Sequence, residues 1–229
     1  MKIRNYFKDL SRFERGLWIT SLVVVTLSFF FSNGGWLNLI ASLIGVTALI
    51  FVSKGYVLGQ ILSVVFAVFY GYISLSFRYY GEMITYMCMT APIAIAAVIS
   101  WAKNPYKDTA EVTVSKMTKK QVIALSLLSV AVTVVFYFIL KAFDTANLIT
   151  STVSVTTSFL AVSFTYLRSP YYALAYSAND LVLIILWILA SLENIVYIPM
   201  IFCFIMFLAN DMYGFFNWRR IEKRQKDGD

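Results

Sequence analysis

Two aspartates inside long apolar stretches are the residues of this sequence most suited to a chemical role. Asp180 and Asp211 each directly follow an asparagine, Asn179 and Asn210. An ionisable group in hydrocarbon costs from about 2.5 to more than 10 kcal/mol, so it usually faces a cavity or a partner. Both dipeptides are therefore candidates for a polar site. The alternative for Asp211 is pairing with a basic helix end or with another helix.

Aromatic and amide side chains share helical faces with these carboxylates. Tyr176, Asp180 and Trp187 fall on one face of a helix. Two adjacent faces of the next helix carry Asn210, Tyr213 and Asn217 on one, and Asp211, Phe215 and Trp218 on the other. Aromatic faces stack on flat rings and attract cations, amides pair with carboxamides, and carboxylates neutralise a cation or accept from ribose hydroxyls. The set predicts a site for a flat, hydrogen-bonding or cationic solute.

Composition excludes most other kinds of site. Of 229 residues, 60% are apolar and 14% are charged, against roughly 45–50% and 25% in soluble domains. The chain has no histidine and no glycine-rich phosphate loop, so we expect no cofactor, metal site or ATP hydrolysis. Cys88 and Cys203 lie in apolar stretches, which is typical of small core residues. The bilayer is the natural solvent for such a chain.

Eight apolar runs are long enough to be membrane spans, and they predict an all-α polytopic membrane protein. They cover residues 16–31, 36–52, 56–77, 83–101, 121–143, 148–166, 173–192 and 195–218. Thr118 and Gln121 fit a capping box at the start of the fifth span. Pro92 predicts a kink in the fourth span. The nine Ser and Thr residues of the sixth span favour close helix packing, or alternatively line a wet path.

The distribution of basic residues tests this topology. Of the 19 Lys and Arg residues, 17 fall in the two terminal segments and the alternate connections, whereas the opposite side holds Arg78 and Lys141. Positive charge stays on the cytoplasmic side, so both termini are expected in the cytoplasm and the protein in the inner (plasma) membrane. The net charge of +7 therefore indicates topology. A basic nucleic-acid surface is the rejected alternative.

An internal repeat is suggested by matching spacings. Tyr70 precedes Trp101 by 31 residues, and Trp187 precedes Trp218 by the same interval. Polar residues, Gln60 among them, lie ahead of each pair; a hydrogen bond between helices is the alternative role for Gln60. Parallel repeats of three helices with a linker helix between them are typical of transporters. The predicted divisions are a cytoplasmic N-terminus with an extra first span (1–35), a first three-helix repeat (36–101), a cytoplasmic loop with a linker helix (102–147), a second three-helix repeat (148–218) and a basic cytoplasmic tail (219–229).

The second triplet contains Asn179–Asp180–Leu181, Leu186–Trp187 and the run LANDMYGFFNWRR from Leu208 to Arg220. With these residues, spans two to eight resemble the PnuC family of nicotinamide riboside transporters, most clearly in the second triplet. This resemblance implies a 3+1+3 helix fold like that of SWEET transporters, a homotrimer, and facilitated diffusion of a vitamin that intracellular phosphorylation then traps. The resemblance implies binding roles for seven residues of the second triplet: Asn179, Asp180, Trp187, Asn210, Asp211, Tyr213 and Asn217. From a weaker match of the first triplet, it also implies binding roles for Gln60 and Tyr70. Trp218, next to two arginines, is interpreted instead as an interfacial anchor.

Other functions stay open at this point. Nicotinamide riboside and thiamine are both flat cations, ranked in that order, and riboflavin is neutral. A substrate-capturing subunit of an ATP-driven vitamin complex is a different class, which the parallel repeat argues against. A polytopic enzyme is disfavoured because histidine, cysteine clusters and phosphate loops are missing.

Overall fold

The described part of the chain forms eight long helices. The computed structural model describes residues 6–32, 35–76 and 80–228, and the named elements in these ranges are all helical. The helices are α1 (Arg12–Ser32), α2 (Trp36–Ser53), α3 (Val57–Ser76), α4 (Tyr80–Ala102), α5 (Lys119–Ala142), α6 (Leu148–Tyr166), α7 (Tyr172–Glu193) and α8 (Ile198–Asp227). Eight described helices are long and apolar enough to cross a membrane, which confirms the predicted number. Arg78 lies outside the described residues.

Several helix boundaries differ from those predicted, and three of the differences change the assignment of charged residues. α1 begins at Arg12, before the predicted start, because Ser11 and Glu14 form a capping box. The Ser11 hydroxyl accepts from the Glu14 N–H (3.2 Å), and the Glu14 carboxylate accepts from the Ser11 N–H (2.6 Å). α4 begins at Tyr80. α8 continues to Asp227, so the segment predicted as a tail is largely helical.

The connection between α4 and α5 covers one end of the helix bundle. The predicted capping box at its close is confirmed: the Thr118 hydroxyl accepts from the Gln121 N–H (3.2 Å), and the Gln121 side chain accepts from the Thr118 N–H (2.9 Å). Earlier in this connection, the side-chain amide of Gln225 in α8 both donates to the carbonyl of Val112 (3.0 Å) and accepts from the N–H of Val114 (2.8 Å). We call this end, with the connection and the C-terminal part of α8, the basic end.

The helices pack as two consecutive groups of three that also contact each other. Within the groups, α2 packs on α3 and α3 on α4, while α6 packs on α7 and α7 on α8. Between them, α2 packs on α8 and α4 on α6. α1 lies against α8 and α2, and α5 packs chiefly on α6. The outer surface of α5 is apolar, as a bilayer requires: it exposes Ile123, Leu127, Leu128, Val130, Val134, Val135 and Phe138.

The fourth span contains a change of helix type where a kink was predicted. Residues Thr85–Thr90 form a π-helix, in which the Ala91 N–H donates to the carbonyl of Tyr86, five residues earlier. Pro92 follows directly and has no N–H for the carbonyl of Cys88, so the regular α-helical bonding is interrupted here. Such π-helical turns are frequent at functional sites.

Trp218 is not an interfacial anchor, contrary to its sequence interpretation. It is fully buried, and its indole N–H donates to the carbonyl of Val52 near the end of α2 (2.9 Å). Trp101 makes the matching bond from α4 to the carbonyl of Thr165 near the end of α6 (2.9 Å). The two indole rings contact each other, with centroids 5.2 Å apart. A buried indole N–H needs such a partner, and these two bonds join the groups at the basic end.

Substituting Gly59 should destabilise the fold, because α3 crosses α2 there without room for a side chain. A Cβ at Gly59 would meet the backbone of Val52 and lie 2.7 Å from the carbonyl carbon of Phe51. Backbone cannot rotate away, so Gly59→Ala should lower the free energy of unfolding by about 1–3 kcal/mol. Thermal unfolding in detergent measures the loss. Gly16→Ala is the matched control, because nothing lies within 4 Å of its added Cβ; equal unfolding midpoints would contradict this packing.

Candidate functional site

A cavity lies between the two groups of three helices and nearer the basic end. It encloses about 60 Å³, and all six helices of the two groups contribute to its wall, whereas α1 and α5 supply none of the lining residues. The lining residues are Gly45, Ala48, Leu49, Val52, Gln60, Ser63, Phe66, Ala67, Tyr86, Thr90, Ala94, Ser158, Tyr176, Asn179, Asp180, Phe204, Phe207 and Asp211. This position between two packed groups is where transporters built from repeats hold their solute.

Both predicted aspartates line this cavity and face each other. Asp180 and Asp211 are 2% and 3% exposed, and their carboxyl groups lie within hydrogen-bonding reach of each other. The Oδ2 atom of Asp180 has no hydrogen-bond partner among the described residues. The described lining includes no lysine or arginine. Carboxyl groups this close share a proton, so the pair supplies one negative charge to the cavity and leaves an acceptor available to a cation or a donor.

An amide and several hydroxyls stand beside the carboxylates. Asn179 lies in the wall, where its side-chain oxygen accepts from Thr157 (2.8 Å) and Ser158 (3.0 Å) of α6. Gln60, from α3, lines the same cavity. The hydroxyl-rich α6 thus has two roles, because Thr152 and Thr165 bond back to their own helix backbone while Ser158 reaches the cavity wall.

Aromatic rings complete the wall, and sequence reasoning missed most of them. Phe66 and Phe207 meet edge to face with centroids 5.3 Å apart, and Phe66 also contacts Tyr86 (6.3 Å). Tyr176 and Phe204 line the cavity too. Of these five, only Tyr176 was identified, because it shares a face with Asp180. The others are ordinary members of apolar runs, and no local signal distinguishes them from core residues.

Trp187 and Tyr70 lie outside the cavity wall. Trp187 is fully buried in the core, and its indole N–H donates to the hydroxyl of Tyr70 (3.0 Å). Tyr70 packs against Tyr86 with ring centroids 4.4 Å apart. The bond joins α3 to α7 on the side of the cavity away from the basic end. In this conformation Trp187 therefore lies in the packed core on that side of the cavity, and its ring does not line the cavity.

Three predicted residues of α8 serve helix contacts instead. Asn210 donates to the hydroxyl of Ser21 in α1 (2.9 Å). Asn217 donates to the carbonyl of Ser53 at the end of α2 (2.8 Å). Tyr213 donates to the carboxylate of Glu14 (2.7 Å). The shared face inferred from spacing is real, but it points to α1 and α2, while the neighbouring face with Asp211 points to the cavity.

Two further buried carboxylates were missed because the spans were started too late. Glu14 lies in α1, where the Lys54 ammonium forms an ion pair with it (3.3 Å). Glu82 lies in α4, accepts from the hydroxyl of Ser154 (3.2 Å), and has a second oxygen without a hydrogen-bond partner among the described residues. With predicted starts at residues 16 and 83, Glu14 fell in the N-terminal segment and Glu82 in a connection.

The chain is similar to known vitamin transporters over nearly its whole length. It is 26% identical to the nicotinamide riboside transporter PnuC of Neisseria mucosa (96% of this chain, 86% of that protein). It is 22% identical to PnuC of Haemophilus influenzae (91% and 90%). The solved structure described as the vitamin B3 transporter PnuC superimposes with a TM-score of 0.81 at 25% identity, covering 94% of each chain.

A family assignment follows from the sequence match. The family model described as "Nicotinamide mononucleotide transporter" matches residues 35–220, which include every residue that lines the cavity. Its members are transporters and not enzymes, and eight apolar helices fit a multi-pass protein. This chain, an all-helical multi-pass membrane protein, belongs to the nicotinamide mononucleotide transporter family and, within it, to the PnuC transporters.

Proposed function

We propose that this protein carries nicotinamide riboside across the membrane through the cavity between its two groups of helices. The observation that carries the proposal is the acidic pair, Asp180 and Asp211, in a buried wall whose described residues include no basic side chain. The pyridinium ring of nicotinamide riboside carries a fixed positive charge, which buried carboxylates stabilise. Aromatic side chains such as Phe66 and Phe207 can contact its ring, and the amides Gln60 and Asn179 can bond its carboxamide or ribose.

The same wall disfavours the phosphorylated nucleotide. Phosphate is recognised by arginine, lysine or helix N-termini, and the described lining offers carboxylates in their place. A dianionic phosphate next to Asp180 and Asp211 would be repelled. The substrate is therefore the riboside, in agreement with the names of both curated relatives, and phosphorylation inside the cell would trap it.

Thiamine is the second candidate substrate. It is also a flat cation, so it would satisfy the carboxylates and the aromatic rings equally well. It lacks the ribose and the carboxamide for which Gln60 and Asn179 are suited. Nicotinamide riboside ranks first for this reason, and because the two curated relatives are named for it.

The helix arrangement is proposed to be a parallel 3+1+3 repeat, as in SWEET transporters. Residues 117 positions apart occupy related places: Ser63 and Asp180 both line the cavity, as do Ala94 and Asp211. The bonds of Trp101 and Trp218 also correspond, each joining the third helix of one group to the first helix of the other. α5 is then the linker and α1 an addition outside the repeat, which supports the predicted divisions of the chain.

The orientation and assembly are proposed from charge and from family resemblance. The basic residues at one end support a cytoplasmic location for that end and for both termini, with the protein in the inner membrane. A homotrimer is proposed because the PnuC resemblance implies it. The apolar outer surface of α5 is compatible with either lipid or a neighbouring copy.

Transport by this chain alone is the experiment that tests the function. We expect liposomes containing only this protein to equilibrate radiolabelled nicotinamide riboside, with no need for ATP, a proton gradient or a sodium gradient. The reason is facilitated diffusion through a single cavity. Uptake that stops when a gradient is collapsed would refute uniport. Thiamine entering in place of the riboside would favour the second candidate, and a requirement for a separate ATPase would favour the capturing subunit.

Trp187 is proposed to act through its bond to Tyr70 in the closed conformation, and the stacking on the substrate ring that its aromatic type predicts is the alternative. Tyr70→Phe removes the bonding hydroxyl and leaves the indole intact, whereas Trp187→Phe removes the indole N–H. We expect each variant to change uptake by about two- to tenfold, because one hydrogen bond is typically worth about 0.5–1.5 kcal/mol. The two factors should agree within about threefold. Initial rates in liposomes measure this. A large loss for Trp187→Phe with none for Tyr70→Phe would instead support stacking on the substrate.

A further inference from the structure

A second, larger cleft opens at the basic end and shares no lining residue with the transport cavity. It encloses about 480 Å³ between the start of α5, the end of α6, the connection to α7 and the last part of α8. Its lining residues are Ser115, Lys116, Met117, Val122, Leu125, Ser126, Leu160, Phe164, Ser169, Pro170, Tyr171, Arg219 and Glu222. Neither the transport function nor the predicted site uses this cleft.

The cleft has an apolar interior and a cationic rim. The interior is formed by Leu125 of α5 and by Leu160 and Phe164 of α6, all within membrane spans. The rim carries Lys116, Arg219 and one acid, Glu222. That acid is already paired, accepting from Arg219 (2.7 Å) and from Lys226 outside the cleft (2.6 Å). The rim therefore has a net positive charge.

A third cation belongs to the connection that borders this rim. The carbonyl of Arg168 accepts from the N–H of Ser115 (3.0 Å), and Ser169 follows it in the chain. Both of those neighbours line the cleft, whereas the side chain of Arg168 is not part of its lining. Arg168 is half-buried, and burial lowers the pKa of its guanidinium. It adds positive charge to the connection next to the rim.

We propose that this cleft binds an anionic phospholipid, with an acyl chain against the apolar interior and the headgroup phosphate at Lys116 and Arg219. The rim lies at the level where α5 begins and α6 ends, which is the depth of lipid phosphates. Basic pockets between membrane helices on the cytoplasmic side recognise such headgroups. The charged rim disfavours a second copy of this chain as the occupant, since that copy would have to bury both cations.

Native mass spectrometry of the full chain with added phosphatidylglycerol or phosphatidylcholine tests the proposal. We expect the wild-type protein to retain phosphatidylglycerol preferentially. The variant Lys116→Gln/Arg219→Gln should weaken this binding about 25-fold, at roughly fivefold per charge. Lys226→Gln is the matched control, because Lys226 lies on the same helix and pairs with the same Glu222 but does not line the cleft. It should change binding less than twofold.

A second variant tests the apolar interior separately. Ser126→Trp places a large ring in the cleft and keeps both rim cations, so it should abolish phosphatidylglycerol retention. Equal retention of the two lipids by the wild-type protein would overturn the proposal. So would unchanged binding in the Gln variant, or an oligomer that dissociates in Ser126→Trp because a second copy fills the cleft. The measurement reads lipid mass and not transport, so its failure would leave the proposed function untouched.

Discussion

The double variant Asp180→Asn/Asp211→Asn is expected to lower uptake of nicotinamide riboside about 100-fold or more. Removing the partner of a buried charge costs about 3–5 kcal/mol, and each 1.4 kcal/mol is a factor of ten. Either single variant leaves one carboxylate in the wall, so its loss should be smaller, about tenfold. Asparagine has nearly the same size as aspartate, which keeps the cavity shape. Initial rates of labelled riboside uptake into liposomes measure the effect.

A neutral substrate distinguishes charge from hydrogen bonding in the same variants. Reduced nicotinamide riboside has no positive charge on its ring, so its uptake should fall less than about fivefold. Glu193→Gln is the matched control, because that exposed carboxylate lies at the end of α7, the helix of Asp180, and does not line the cavity. Equal losses for the charged and reduced substrates would mean that the carboxylates bind hydroxyls and not the cation.

Gly45→Val is expected to reduce uptake to less than about a tenth of wild type while the protein stays folded. A Cβ at Gly45 would overlap the ring of Phe207 and lie 3.0 Å from the ring of Phe66. Both rings line the cavity, and the outer end of a phenylalanine ring can swing aside more readily than backbone can move. The displaced rings should therefore fill the space that the substrate needs. Uptake and the unfolding midpoint are measured on the same preparation.

Two further variants make this expectation specific. Gly16→Val adds the same side chain to α1, where nothing lies within 4 Å of the new Cβ, and should transport normally. Gly45→Val/Phe207→Ala removes the displaced ring and should recover a substantial part of the uptake. If Gly45→Val transports at the wild-type rate, the substrate does not pass between α2 and α8 at this depth.

The small size of the cavity has a mechanical consequence. Pockets for small-molecule ligands typically measure about 300–1,000 Å³, whereas this one encloses about 60 Å³. The Tyr70–Trp187 bond closes the bundle on one side of it, and the Trp101–Trp218 contact closes the basic end. The structure therefore represents a closed conformation, and the two groups of helices must separate to admit a nucleoside. The π-helical turn Thr85–Thr90 places irregular backbone beside the cavity, where such a movement can be absorbed.

Sequence patterns predicted the helices well because apolar run length responds directly to bilayer thickness. Four of the residues predicted for the site, Asp180, Asp211, Asn179 and Gln60, line one cavity. For carboxylates in hydrocarbon, cost alone implies a polar environment. Helical periodicity shows which residues share a face, but it does not show which neighbour that face meets. Asn210 therefore met α1 while Asp211, one position later, met the cavity.

The aromatic residues show the second limit of sequence reasoning. Phe66 and Phe207 line the cavity only because glycine at position 45 lets them approach α2, a relation between distant parts of the chain. Trp187 and Trp218 stood out by type and spacing, yet both are buried and donate hydrogen bonds within the helix bundle. Large aromatic side chains satisfy packing and substrate binding equally well, so their role depends on tertiary contacts.

A structure determined with nicotinamide riboside bound would test the central claim most directly. We expect the riboside between the two groups of helices, with its pyridinium ring beside Asp180 and Asp211 and against Phe66 or Phe207. We also expect Asn210 to keep its bond to Ser21. Density for the riboside outside this cavity, remote from both aspartates, would contradict the proposed site.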